Sequence, residues 1–192
     1  MKHVLPLHRP VIWNRRALYS TPWFTVQRKD VRFPPPARLE HYYVIRPSDN
    51  VNIMAMTRDH RVLLVRQFRP AVEDFTLEFP SGHRDAHESP LAAAKRELYE
   101  ETGHRTSKLD FLGKMLPDTG RLTNTVWCYL ATRLTASPTS RWQPETGIQV
   151  IALPARELLN YVSHGKMRHS YDLAALAMAI SKKGWGLLHG KP

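Results

Sequence analysis

The sequence predicts a mixed α+β sandwich, and three observations carry that prediction. Short runs rich in β-branched and aromatic residues recur from Trp23 onward. One segment near residue 90 carries a full set of helix start and stop residues. Strands and helices then intermingle without a regular βαβ repeat, which argues against a doubly wound parallel sheet.

In chain order, WFTVQRKDVRF and LEHYYVIRP read as strands on either side of the break PPPAR, Pro34 to Arg38. VNIMAMT and RVLLVRQF, separated by Arg58-Asp59-His60, read as a hairpin with a polar turn, and DFTLEFP as a further strand. Ser89 suits a helix N-cap, Pro90 the first helical position, and Gly103 the residue past the end. Leu91, Ala94 and Leu98 share one face of that helix, suited to the core. Strands follow in TNTVWCYLATRL and TGIQVIAL. PARELLNYVSHG has helical spacing and is closed by Gly165, and SYDLAALAMAISKK is an amphipathic helix with lysines in its last turn. The tail GWGLLHGKP carries no clear element.

A hydrophobic fraction of 42% over 192 residues supports a real core, which excludes wholesale disorder. No apolar run approaches ~18 residues, so no membrane span is expected. The first residues, MKHVLPLHRPVIWNRR, lack the apolar block and cleavage site of a signal peptide, and Cys128 is the lone cysteine. Together these predict a soluble, cytoplasmic protein. The net charge of +11 draws anions in general, and residues 1 to 40 hold eight Lys/Arg against two acids.

Within this basic chain, Glu97, Glu100 and Glu101 form the densest acidic patch. On a helix Glu97 and Glu101 stack one turn apart, with Glu100 beside them. Like charges at this spacing repel unless a cation neutralises them, and a hard divalent cation prefers oxygen ligands. The loop PSGHRDAHE precedes the helix, and Gly82 lets its backbone turn and approach a ligand closely.

The string from Gly82 through Glu88 to Arg96-Glu97-Leu98-Tyr99-Glu100-Glu101-Thr102-Gly103 resembles the Nudix box, G-x5-E-x7-R-E-U-x-E-E-x-G-U. Every fixed position matches; His104 stands where the family prefers an aliphatic residue, a matter of packing. RVLLVRQFRP, TLEFPSG, the Pro117-Asp118-Thr119-Gly120 turn and SYDLAALAMA are similar to the ADP-ribose and nucleoside-diphosphate-sugar pyrophosphatase branch. The resemblance covers roughly residues 20 to 182. It implies a Nudix fold, a mixed β-sheet sandwiched between α-helices with an N-terminal antiparallel strand extension, in a likeness to families that often form homodimers by strand exchange. The expected organisation is an extension over 1–48, a hydrolase domain over 49–183 and a tail over 184–192.

Carried over residue by residue, the resemblance implies that Glu97, Glu100, Glu101 and the carbonyl of Ser81 hold Mg²⁺, with Mn²⁺ as the alternative. Gly82, Glu88 and Arg96 would organise the box. The general base of this branch is commonly a glutamate on a loop after the core strands, and Glu145 in RWQPETGIQV is the candidate, with Glu100 as a second catalytic carboxylate. Arg66 and Arg69 suit diphosphate oxygens. Trp23 or Phe24 suits stacking on a nucleobase, and Gly120 and Arg121 suit contacts from the post-box turn. His83, His87 and His104 read as loop and packing residues, because imidazole is not the usual Mg²⁺ ligand. Cys128 reads as an inert core thiol.

The expected activity is Mg²⁺-dependent cleavage of the pyrophosphate bond of ADP-ribose or a related nucleoside diphosphate sugar. A small-molecule substrate and a homodimer are expected, with neither membrane nor nucleic acid as the main partner. Two further readings stand beside it. One is an RNA 5′-end pyrophosphohydrolase, suggested by the +11 charge. The other is a non-catalytic nucleotide-sensing module, which has no need of the box carboxylates that this chain retains.

Overall fold

The computed structural model describes residues 9–34, 38–136, 142–143 and 146–189. The chain divides into two compact units, residues 1–48 with 118–124, and 49–117 with 125–192.

The first unit is a three-stranded antiparallel sheet of β1 (Val11–Ser20), β2 (Phe24–Arg32) and β3 (Leu39–Pro47), with β2 in the middle. Thr21 makes the β1–β2 turn, its hydroxyl accepting from the backbone N–H of Trp23 at 3.1 Å and of Phe24 at 3.0 Å. The segment 118–124 runs alongside β3, where Ile45 donates to the carbonyl of Arg121 at 2.8 Å and accepts from Thr123 at 3.1 Å. Asp30 is buried and takes contacts from Arg28 at 2.9 Å and His41 at 2.7 Å. β1 is exposed along its whole length, Trp13 and Tyr19 included.

The second unit holds β4 (Asn50–Met56), β5 (Arg61–Arg69), β6 (Asp74–Glu78), β7 (Ser81–His83), β8 (His104–Met115), β9 (Val126–Ala136) and β10 (Gln149–Pro154). The sheet runs β10-β5-β4-β9-β8, with β6 pairing β5 and β7 pairing β4. The β4–β9 pair is parallel and the rest are antiparallel, which is the mixed sheet expected. Its helices are α1 (Pro90–Thr102), α2 (Leu158–Ser163), α3 (Ser170–Lys183) and α4 (Gly186–His189).

Period-two alternation puts helices on both faces. Val51, Ile53 and Ala55 of β4 and Leu63 of β5 pack with Ala93, Ala94 and Leu98 of α1. The alternate residues Met54, Met56, Val62 and Leu64 pack instead with Leu158 of α2, Leu176 and Ala179 of α3, and Leu188 of α4. Each such large side chain contributes about 1.5–3 kcal/mol on burial. The last segment, without a clear element in the sequence, thus forms α4 and puts Leu188 into the core.

Helix α1 begins and ends where its sequence says. The Ser89 hydroxyl accepts from the Ala92 N–H at 3.1 Å, and Gly103 closes it at φ 69° with its N–H on the Tyr99 carbonyl at 2.8 Å. One expectation fails: Leu91 is exposed, and Ala93 takes its place beside Ala94 and Leu98. Leu91 lies in the first turn, where side chains tilt toward the N-terminus and so past the packed stretch. Ser89→Ala should cost about 1 kcal/mol and lower Tm by about 2–4 °C in a domain of this size. A thermal melt unchanged within error would mean that the cap is not stabilising the helix.

Candidate active site

The acidic patch is organised by a loop tied to the middle of the sheet. Ser81 and Gly82 of β7 pair with Asn52 and Val51 of β4, and Ile53 donates to the Pro80 carbonyl at 2.9 Å. Helix α1 crosses this loop and presents Glu97 and Glu101, one turn apart, to it. The Ser81 N–H donates to Glu101 Oε2 at 2.9 Å. A methyl group at Gly82 would overlap the Glu97 carboxyl group, so the missing side chain is what lets the acid lie against the loop backbone. Glu97 and Glu101 are 9% and 5% exposed, which is unusual for carboxylates outside a functional or paired setting.

Arg96 ties the remaining acids together. It donates to both carboxylate oxygens of Glu88 at 3.1 and 2.9 Å, to Glu97 Oε1 at 2.7 Å, to Glu100 Oε2 at 2.9 Å and to the His83 carbonyl at 2.8 Å. Its hydrogen bonds to Glu88 hold the guanidinium even more firmly protonated than usual, and they hold the Glu88 carboxyl below the ordinary carboxylate range. Arg84 grips the other side of the loop through the Glu88 carbonyl at 2.9 Å.

One guanidinium among four carboxylates leaves this patch net negative in a basic chain. The donor set is all oxygen, the chemistry that a hard divalent cation selects. Arg96 spans Glu97 and Glu100, and among the described residues no three His, Cys, Asp or Glu side chains gather into a metal-holding group. The residue types fit such an ion, and the spacing between them is set by the arginine.

Trp142, absent from the sequence-level expectations, closes the far end of α1. Its indole N–H donates to the Glu100 carbonyl at 3.2 Å, and its ring stands 2.8 Å from where a Gly103 side chain would begin. Nothing in its sequence neighbourhood marks this contact, which is made across 42 residues.

The other expected residues are dispersed. Arg69 does not join the acidic patch; it forks onto the buried Glu78 at 2.9 and 2.5 Å. Arg66 stacks on the Phe75 ring at 4.3 Å. Trp23, 70% exposed, Phe24, Gly120 and Arg121 belong to the first unit, where Asp118 accepts from the N–H groups of Gly120 and Arg121. Glu145 lies outside the described residues. His104 contacts the Thr102 carbonyl at 2.7 Å through Nδ1, and Cys128 is buried, its thiol pushed up to about 12 mainly by desolvation.

Burial alone would raise the Glu78 carboxyl, but the bonds from Arg69 and Thr76 overcome it and hold it below the usual range. An acid with a depressed folded-state pKa contributes stability that is present above the unfolded value, about 4.3, and lost as pH falls through the lower folded value. Glu78→Gln should therefore flatten the decline of Tm below about pH 4. It should also destabilise at pH 7 by about 3 kcal/mol, since Arg69 loses its buried partner. A variant whose melts keep the unmodified acid limb would assign that limb to other carboxylates.

The pattern of fold and loop has counterparts in known proteins. The model of the NUDIX domain matches residues 46–172. The methanol dehydrogenase activator of Bacillus methanolicus is 25% identical over 134 residues, 69% of this chain and 72% of that protein. The ADP-sugar pyrophosphatase of Mus musculus is 34% identical over 116 residues, 57% of this chain and 53% of that protein. A crystal structure of an ADP compounds hydrolase superposes with a TM-score of 0.78 at 23% identity, over 94% of this chain and 98% of that one. The chain belongs to the Nudix family and is a Nudix hydrolase.

Proposed function

We propose that this chain hydrolyses the pyrophosphate bond of ADP-ribose or a related nucleoside diphosphate sugar in a Mg²⁺-dependent reaction, releasing a nucleoside monophosphate and a sugar phosphate. The observation that carries the reading is the Glu97–Glu101 pair pressed against the Ser81–Gly82 backbone with Arg96 bracing the surrounding acids. The similarity to the mouse ADP-sugar pyrophosphatase supports the substrate class.

Glu97, Glu101, Glu100 and the Ser81 carbonyl would hold Mg²⁺ or Mn²⁺. A bound divalent cation supplies activation of the attacking water and neutralises charge on the departing phosphate. Gly82 gives the acids room, while Glu88 and Arg96 aim them, a supporting role whose loss typically costs 10–100-fold. The water adds to one phosphorus as the bridging P–O bond breaks, and the bridging oxygen leaves with the other phosphate. The water's proton passes to a carboxylate, for which Glu145 is the candidate and Glu100 the alternative. Arg66 and Arg69 are assigned to the substrate side, with Arg69 exchanging part of its Glu78 fork for diphosphate oxygens.

The exposed apolar and aromatic side chains of β1 support a homodimer, and Trp23, Gly120 and Arg121 are assigned as substrate contacts on the family resemblance. A cytoplasmic setting agrees with the lone cysteine, and among the described residues no helix is long and apolar enough to cross a membrane. A second reading, a nucleotide-responsive regulator of another protein, is favoured by the similarity to the methanol dehydrogenase activator.

Product analysis with purified protein, Mg²⁺ and a panel of ADP-ribose, ADP-glucose, GDP-mannose and 5′-triphosphate RNA tests these readings. The expected result is a monophosphate and a sugar phosphate from at least one sugar nucleotide, with modest salt dependence. Turnover of RNA alone, falling steeply with salt, would instead give the basic surface the leading part. Nucleotide binding without turnover would favour the regulator.

A further inference from the structure

The box loop is fastened by a residue that lies outside the box. Strand β7 has only Ser81, Gly82 and His83, which pair with Asn52, Val51 and Asn50 of β4. So short a strand specifies its register weakly, and a slip by one residue would turn every side chain to the other face. Here the register decides the site. Gly82 has to face the Glu97 carboxyl group, because a side chain there would overlap it, and the Ser81 N–H has to meet Glu101 at 2.9 Å.

Arg84 and Asp49 continue this pairing by one step, each next to the end of its strand. The Arg84 backbone N–H donates to the Asp49 carbonyl at 2.8 Å, and its guanidinium donates to Asp49 Oδ2 at 3.4 Å. Asp49 is itself fixed to the core sheet. Its Oδ1 accepts from the Thr125 N–H at 2.9 Å, and the Asn50 N–H beside it donates to the Thr125 carbonyl at 3.0 Å, just before β9. The other arm of the Arg84 guanidinium donates to the Glu88 carbonyl at 2.9 Å, directly before the Ser89 cap of α1. A rigid planar fork holds two such acceptors in one geometry, which an ammonium on a flexible stem does not.

Arg96 makes the reverse link, from α1 back to the His83 carbonyl at 2.8 Å. Two guanidiniums therefore brace the strand that carries Ser81 and Gly82 against the helix that carries Glu97 and Glu101. Arg96 is a fixed position of the box. Arg84 fills one of the five open positions between Gly82 and Glu88, and Asp49 lies 35 residues ahead of it.

We propose that Asp49 and Arg84 are positioning residues for the metal site: they lock the register of β7 on β4, and with it the placement of the Ser81 backbone against Glu97 and Glu101. The inference rests on the metal-holding role proposed above. Asp49→Asn is isosteric; its amide oxygen can still accept from Thr125, while its amide nitrogen cannot accept from Arg84. Arg84→Met keeps an apolar stem without the fork, and Arg84→Lys keeps the charge alone. Calorimetric titration with Mn²⁺, in the absence of substrate, should show Kd raised by about 10-fold or more in all three variants, the usual cost of a lost support to metal ligands. Melts of the metal-free proteins should agree within about 4 °C, the scale of one partly exposed pair. Asp49→Asn combined with Arg84→Met should lose no more Mn²⁺ affinity than the worse of the two alone, because both remove one interaction.

Unchanged affinity in Asp49→Asn and Arg84→Met would overturn the positioning role and leave the metal reading in place. Full affinity in Arg84→Lys would show that charge suffices and would overturn the register argument. Affinity that falls only in step with a larger loss of Tm would reduce the pair to ordinary stabilisation, and strictly additive losses would show that the two residues do not act as one. If the unmodified protein and Glu101→Gln bind Mn²⁺ alike, or neither binds it, the metal reading itself fails and takes this inference with it.

Discussion

Glu101→Gln is expected to leave a folded protein with hydrolysis reduced by at least about 10²–10³-fold, the usual cost of removing one group that stabilises charge at the reacting centre. The structural cost is small because the substitution is isosteric and the amide oxygen can still accept from Ser81, whose N–H now meets Glu101 Oε2 at 2.9 Å. The chemical cost is large because Glu101 is 5% exposed in a patch where water cannot readily replace its charge. Steady-state kinetics across a Mg²⁺ titration, with a melt of the same sample, separates the two. A fall in kcat that saturating Mg²⁺ does not recover, at an unchanged Tm, is the expected pattern. Activity within 10-fold of the unmodified protein would remove Glu101 from the proposed metal-holding set.

The sequence makes this helix readable because its information is local. Ser89, Pro90 and Gly103 act on the backbone within one turn, and the stacking of Glu97 on Glu101 follows from the helical period alone. The core strands are readable for the same reason: β4, β5 and β9 carry apolar residues on both faces because both faces are covered. Strands β1 and β8 escape this logic. β1 buries no residue, and β8 is a sheet edge with Leu112 as its only buried residue among charged ones, so neither shows an alternating apolar pattern.

The site divides in the same way. The contacts of Arg96 with Glu97 and Glu100 lie within a turn, and that with Glu88 spans eight residues. The Arg69–Glu78 fork joins neighbouring strands through a register that the residue types alone leave open. The contacts of Trp142 with Glu100 and of Asn52 with Asp172 cross 42 and 120 residues, so only folding brings them together.

Gly82→Ala should reduce activity by about 10–100-fold while costing only about 1 kcal/mol of stability. The backbone at Gly82 is not left-handed, so alanine meets no conformational penalty there. The constraint is space. The added methyl would occupy the volume of the Glu97 carboxyl group, the flexible end of a side chain, which can swing aside more cheaply than backbone can move. Swinging aside, however, strains the 2.7 Å bond from Arg96 and turns the carboxylate from the aim that the loop gives it. The damage therefore falls on chemistry more than on folding, the reverse of the usual result for a glycine in an apolar core. A double variant sharpens the test. Glu97→Asp withdraws the carboxylate by one methylene and should reduce activity by itself, yet combined with Gly82→Ala it should lose less than the two separate losses together, because contacting residues are not additive. Kinetics of the four proteins measures that coupling. Strictly additive losses would show that the methyl and the carboxylate do not compete for one volume, and the role assigned to the missing side chain of Gly82 would fail.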